Sequence, residues 1–231
     1  MNYFLGGYYL IKLRPVNFAS IKPNLIKTCS NCINDSLLDS WSYSWATDKD
    51  EDLQELKKIF QIDNTNLPAI REWVDEKYEE KRIGWGDLFF DLQTALTYKQ
   101  KFFSHLNDVQ TLAIYFNEQE AEDLLEEFEP VNEKLGSIGL YQKLKEGVLE
   151  TDTELFLGYD IIGIENSGDF HTFHCHDLAG DLEKKFNISV NQYGLYDSIH
   201  DFTAIDDFMN DEDNGFEPVP WFVVKVKQVI G

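Results

Sequence analysis

Two cysteines near the start of the chain and two histidines in its second half have residue types suited to a metal site. Cys29 and Cys32 have the C-x-x-C spacing, and the later segment FHTFHCH contains His174 and His176. Zinc takes four sulfur or nitrogen ligands in a tetrahedron, and two cysteines at this spacing can occupy one edge of it. The segment also contains His171 and Cys175. Because alternate residues of a strand share a face, His174 and His176 could complete the set, whereas Cys175 could not join them. The ligand types and the C-x-x-C pair therefore allow a zinc site formed by these four residues, although the spacing of the second pair is not a recognised zinc pattern.

The same residues allow other interpretations. In thiol–disulfide enzymes the C-x-x-C pair opens a helix that follows a strand, whereas TCSNCINDSLLDS is polar and lacks that context. The cysteines could lie in a loop while the histidines make local hydrogen bonds. His174 and His176 could also line a groove as proton donors or as contacts for a small ligand. The chain has no P-loop, dinucleotide-binding or G-x-S-x-G motif.

Acidic residues dominate the rest of the chain. The formal net charge is −22, although residues 1–47 contain four basic and only two acidic side chains. Such a field repels nucleic acids and anionic lipids and accelerates association with a basic protein. The composition thus argues against a nucleic-acid partner and leaves two alternatives. Either the acidic surface captures a basic protein, or it only keeps the protein soluble.

The strongest acidic segments are a predicted helix at about 118–128 and a loop at 211–217. They would form the charged rim of a surface that binds a basic partner. The loop could instead hold calcium, but its spacing departs from the EF-hand pattern, so a solvated turn is the alternative. The acidic residues predicted to bind are Glu126, Glu127, Asp211, Glu212 and Asp213.

Three aromatic residues alternate in a polar segment that precedes the first predicted helix. Trp41, Tyr43 and Trp45 would line one face of a short strand. That face could pack into the core, or it could be exposed as the apolar anchor for a partner.

Apolar periodicity predicts an α+β fold with a mixed or antiparallel sheet and several packed helices in one domain, residues 1–231. The helical segment at about 51–107 could form a subdomain. The predicted strands cover 2–13, 17–27, 109–116, 155–165, 170–176 and 221–230. The predicted helices cover 51–61, a segment from Pro68 to Gly84, 87–106 as the longest, 118–128, a segment after Asp177, and 198–209.

Neither a membrane span nor an export signal is expected. No run approaches the roughly 20 apolar residues that a spanning helix needs, and no basic region precedes an apolar run at the start. The three cysteines are an odd number, which argues against a disulfide framework. Reduced thiols and a cytoplasmic location are therefore expected.

Residues 157–197 carry the motif F-H-[ST]-[FW]-x-C after a strand, then a helix and the motif N-x-x-G-L. The matching residues are Phe170, His171, Thr172, Phe173, Cys175, Asn191, Gly194 and Leu195. This segment, less than a fifth of the chain, resembles a block of uncharacterised bacterial proteins and of some immunity proteins of polymorphic toxin systems. The resemblance implies a stoichiometric inhibitor that masks a toxin without catalysis.

Charge and resemblance together favour a cytoplasmic, acidic protein-binding module, specifically an immunity protein that masks a basic toxin. The alternative is a Cys/His metal-binding protein or small metalloenzyme, with zinc as its metal.

Overall fold

The protein forms one antiparallel six-stranded sheet with helices on both faces, as seen in a computed structural model. The structure describes residues 2–18, 22, 24–84, 86–129, 138–166, 168–211 and 216–230. The strand order is β2-β1-β3-β6-β4-β5. The strands are β1 (Tyr3–Lys12), β2 (Asp35–Ser36), β3 (Val109–Asn117), β4 (Glu154–Ile164), β5 (Phe170–Thr172) and β6 (Trp221–Val229).

Eight α-helices and one 3₁₀ turn, Phe173–His176, lie in the described part of the chain. The helices are α1 (Ser40–Ser44), α2 (Glu51–Ile59), α3 (Leu67–Glu79), α4 (Leu92–Phe102), α5 (Glu118–Glu127), α6 (Ile138–Lys145), α7 (Ala179–Phe186) and α8 (Phe202–Met209). Side chains of Asp50, Asp91, Asn117 and Asp201 each accept a backbone N–H at the start of a helix. These caps explain where α2, α4, α5 and α8 begin.

Alternation along the strands divides the core into two layers. On β3, Ala113 and Tyr115 pack with α2, α3 and α4, whereas Ile114 and Phe116 pack with α5 and α6. At the other end of the sheet, Val223 of β6 packs with α7 and α8. The α+β fold with an antiparallel sheet and packed helices is thereby confirmed.

Four predicted elements differ from the structure. The described residues of the strand expected at 17–27 (17, 18, 22 and 24–27) belong to no strand of the sheet, and a bridge joins Leu25 to Pro15. Proline has no N–H to donate to a ladder. The helix expected at 87–106 starts only at Leu92, because Asp91 caps it and Phe89 pairs with Tyr8. It has 11 residues, so α3, with 13, is longer.

The other two corrections affect predicted site residues. Residues 40–44 form helix α1 instead of a strand, and the Asp39 carboxylate accepts the N–H of Ser42 at 2.7 Å in its first turn. Residues 173–176 leave β5 as a 3₁₀ turn. The alternation of a strand therefore applies neither to the three aromatic residues nor to His174 and His176.

Candidate functional site

Two cysteines and one histidine converge at the edge of the sheet. The Sγ atoms of Cys32 and Cys175 and a ring nitrogen of His171 all lie within 4.8 Å of one another. The Cys32 Sγ atom is 3.7 Å from His171 Nδ1. Among the described residues, this is the one group of three or more Cys, His, Asp or Glu side chains with metal-ligand spacing.

Strand β5 and the following 3₁₀ turn provide two members of this cluster. His171 is the middle residue of β5, and Cys175 lies four residues later in the turn. The Thr172 N–H donates to Cys175 Sγ at 3.5 Å, which fixes the thiol beside the strand that carries the histidine.

The loop containing Cys32 is held by a network of polar contacts. Arg14 donates from Nε to the Ile33 carbonyl at 2.9 Å and from Nη2 to the Cys32 carbonyl at 2.8 Å. The Asn34 side-chain amide donates to the carbonyls of Ile26 and Thr28. Since Arg14 holds the backbone carbonyls of Cys32 and Ile33, the Cys32 thiol lies on a fixed loop.

The buried carboxylate of Asp160 connects the two halves of the cluster. It is fully buried on β4 and accepts from Thr28 Oγ1 at 2.5 Å and from Thr172 Oγ1 at 2.7 Å. Thr28 precedes the Cys32 loop, and Thr172 follows His171 directly. Asp160 therefore positions the loop and β5 relative to each other.

A charged pair forms between the cysteine and the histidine in the absence of a metal. Hydrogen bonds with Cys175 and then His171 lower the pKa of Cys32 to about 4. The same Cys32 contact, helped by Glu165, raises the pKa of His171 to about 9. Contact with the Cys32 sulfur and burial raise the pKa of Cys175. At neutral pH the site thus contains a thiolate beside an imidazolium.

Outer contacts orient the cluster as they do in metal centres. His171 Nε2 lies 2.8 Å from Glu165 Oε1, so the Nε2–H donates to the carboxylate and Nδ1 faces the sulfurs. The Ser30 hydroxyl lies 3.8 Å from Cys175 Sγ. A ligating histidine commonly donates its second N–H to a carboxylate. A thiolate–imidazolium pair with a nearby thiol is also the arrangement of a nucleophilic or redox-active cysteine.

Of the four residues predicted as metal ligands, only Cys32 belongs to this cluster. Cys29 is buried in the core, and its burial raises the pKa of its thiol. His174 is 1% exposed, and its burial lowers its pKa to about 4, so the neutral ring donates from Nε2 to the Gly194 carbonyl at 2.6 Å. His176 pairs with Glu217.

A strand through residue 176 would place His171 and Cys175 on the face opposite to His174 and His176, so the sequence did not indicate them as ligands. In a strand, residues i and i+4 share a face but lie about 13 Å apart, whereas the turn after Thr172 brings Cys175 close to His171. The four-residue spacing in H-x-x-x-C was the signal in the sequence.

Of the predicted aromatic anchors, Tyr43 and Trp45 do not share a surface. Tyr43 is fully buried, and its hydroxyl donates to the Leu37 carbonyl at 3.4 Å, so this side chain packs in the core. Trp45 is 63% exposed just after α1. Trp41 lies in α1, but its side chain is outside the part of the chain that the structure describes. The helical turn separates residues that a strand would have aligned.

The predicted acidic residues remain partly available as a surface. Glu126 and Glu127 are exposed on α5, and Asp211 is exposed after α8. Glu212 and Asp213 lie outside the described residues. The acidic side chains of α5 other than Glu120 thus face solvent, whereas Glu120, Ala121 and Leu124 are buried.

Comparisons with protein-family models, with curated proteins and with solved structures find no match to this chain. The resemblance of residues 157–197 to immunity proteins therefore stays a prediction. None of the described helices is both long and apolar enough to cross a membrane.

Proposed function

We propose that the protein binds a transition-metal ion, zinc by its ligand types, through Cys32, His171 and Cys175. The observation that carries this proposal is the convergence of two sulfurs and one ring nitrogen within 4.8 Å. Two thiolates and an imidazole are ligands that zinc prefers. Calcium and magnesium select oxygen ligands instead.

Three protein ligands leave the fourth tetrahedral position open. Sites of this kind are typical of catalytic zinc, in which water or substrate takes the fourth position, whereas structural zinc sites have four protein ligands. Cys32 is exposed, so that position is accessible from solvent. The function proposed is therefore that of a small metalloprotein with an accessible metal.

Elemental analysis of untagged protein tests this proposal. We expect about one zinc per chain in the wild type and loss of most of it in Cys32→Ser and Cys175→Ser, because each removes a thiolate. Cys29→Ser is the matched control, since Cys29 is buried outside the cluster and its variant should keep the metal.

Two results would contradict the metal assignment. One is wild-type protein without metal after purification under reducing conditions and incubation with zinc. The other is equal retention of zinc in Cys32→Ser and in the wild type. Rapid alkylation of Cys32 in metal-free protein, unaffected by added zinc, would favour a nucleophilic or redox thiol instead.

A second candidate function is capture of a basic protein, as in an immunity protein that masks a basic toxin in the cytoplasm. It is supported by the exposed Glu126 and Glu127 on α5 and by the exposed Asp211 next to α8. A surface of this charge accelerates the encounter with a cationic partner and loses that advantage in salt.

For this second function, we expect a pull-down from the host to recover a basic protein at about 50 mM NaCl and much less at about 500 mM. The double variant Glu126→Gln/Glu127→Gln should slow association severalfold at low salt. Asp152→Asn provides the control. Asp152 is exposed just before β4, near the C-terminal end of β6, and that end lies far from α5. Salt-insensitive recovery would contradict the proposal.

A further inference from the structure

A pocket of about 240 Å³ opens between α5 and α8, beside the first residues of β6. Its remaining wall is formed by the segment from Pro220 to Phe222. The pocket is separate from the Cys32 cluster, which shares none of its residues. Its polar lining consists of Glu120, Asp123, Glu127, Asp206 and Asn210.

Each of two carboxyl groups in this pocket has one buried oxygen without a hydrogen-bond partner. Glu120 is 2% exposed, and its Oε2 accepts the Val223 N–H at 2.9 Å, while its Oε1 has no partner. Asp206 Oδ1 is also buried without a partner. The two carboxyl groups interact directly with each other. Carboxylate oxygens are acceptors only, so their contact requires a proton or a cation between them.

We propose that this pocket binds a guanidinium or ammonium group, which lies between the carboxyl groups of Glu120 and Asp206. A planar guanidinium offers several N–H donors and can serve two carboxylates at once. Hard divalent cations need more oxygen ligands, and no carboxylate trio in the described residues has metal-ligand spacing. This inference rests on the proposed capture of a basic partner and names the chemical group that the partner inserts. It does not depend on the metal site.

A shared proton occupies the pair when the cation is absent. Burial and the Asp206 charge raise the pKa of Glu120 to about 9, and burial raises the pKa of Asp206 to about 7. The neighbouring charges are acidic as well: Asp123 and Glu127 from α5, and Asp207 from α8. The described lining from β6 contributes no charged side chain. A cation therefore displaces a proton, and its binding should strengthen as pH rises from about 6 to 9.

Calorimetric titration tests the site with two probes, ethylguanidinium and a short peptide with one arginine. We expect saturable binding with release of a proton, measured in buffers of different ionisation enthalpy. Affinity should fall about tenfold or more in Glu120→Gln, since a charge-assisted hydrogen bond is lost. The exposed Asp152→Asn, which lies outside the pocket lining, is the control and should change affinity less than about threefold.

The outcomes separate the sources of the cation. Binding of both probes supports a site for the free group, and binding of the peptide alone supports a side chain of a partner. Asp206→Asn provides a second variant in case Glu120→Gln does not fold. No binding of either probe, or equal affinity in both variants and the wild type, would overturn the inference.

The basic-partner proposal can fail separately. If a basic protein is captured in a salt-sensitive manner and Glu120→Gln has no effect on capture, the pocket assignment is wrong while capture stands. If no basic protein is captured but ethylguanidinium binds with proton release, the pocket assignment stands for a small cation.

Discussion

Replacing Asp160 with alanine is expected to lower the free energy of unfolding by about 3 kcal/mol. The variant would leave the Thr28 and Thr172 hydroxyls and the Ile161 N–H without their acceptor at a fully buried position. Each donor left unsatisfied in the core costs about 1–3 kcal/mol, which the removal of a buried carboxylate only partly offsets. Urea unfolding in the presence of EDTA measures this change without a contribution from bound metal.

The control for this substitution is Asp152→Ala, because Asp152 is exposed in the turn before β4. We expect that variant to change stability by less than about 0.5 kcal/mol. Comparable losses in both variants would show that Asp160 does not connect the Cys32 loop to β5.

Asp160 also gives the stability a defined pH dependence. Burial raises its pKa from 3.8 to about 6, so the folded protein holds this proton more tightly than the unfolded chain. The stabilisation is present below about pH 4 and is lost as pH rises through 6. Relative to Asp160→Asn, which cannot titrate, the wild type should lose roughly 3 kcal/mol across that range. A constant difference between the two proteins would contradict the assigned protonation.

Replacing Gly86 with alanine is expected to destabilise the protein by about 3 kcal/mol or more. A Cβ atom at Gly86 would lie 1.6 Å from the carbonyl oxygen of Gly168, in the connection between β4 and β5. This clash can be relieved only by movement of the backbone, because the atoms that the Cβ would meet are backbone atoms. The connection leads directly into the strand that carries His171, so the proposed zinc binding should weaken together with stability.

Gly147→Ala provides the comparison for this prediction. Gly147 has a φ of +64°, but a Cβ there would meet no atom within 4 Å. Its cost should be about 1 kcal/mol, from backbone conformation alone. Thermal and urea unfolding of both variants therefore separate close approach from conformational strain, and equal losses would rule out the contact with Gly168.

Local patterns in the sequence predicted most of the regular elements. Strands β1, β3, β4 and β6 have dense apolar or aromatic residues, and α2, α3 and α5 have apolar residues at helical spacing. These signals depend on neighbours within a few residues. The α+β class follows from their irregular order along the chain.

The errors arose where a local pattern had two structural solutions. Alternating Trp41, Tyr43 and Trp45 suggested a strand, but the Asp39 side chain caps a helical turn at Ser42. The segment after Thr172 was read as a strand, although it folds as a 3₁₀ turn. Both segments are too short to show an apolar periodicity that distinguishes a strand from a helical turn.

The candidate site was less predictable because its parts are distant in sequence. Cys32 and His171 are separated by 139 residues and meet through the sheet. Asp160 connects both segments, but in the sequence of β4 it is only a polar residue between Tyr159 and Ile161. Residue types indicated the chemistry, but only tertiary structure selects His171 and Cys175 over His174 and His176.

The position of β6 has a consequence for the order of folding during synthesis. This strand pairs with β3 on one side and β4 on the other, yet it follows both of them in the sequence. Until β6 has left the ribosome, the β1–β3 pair and the β4–β5 hairpin have no sheet contact with each other. The nascent chain therefore exposes two unpaired strand edges until late in translation, a state in which chaperone binding would protect it from aggregation.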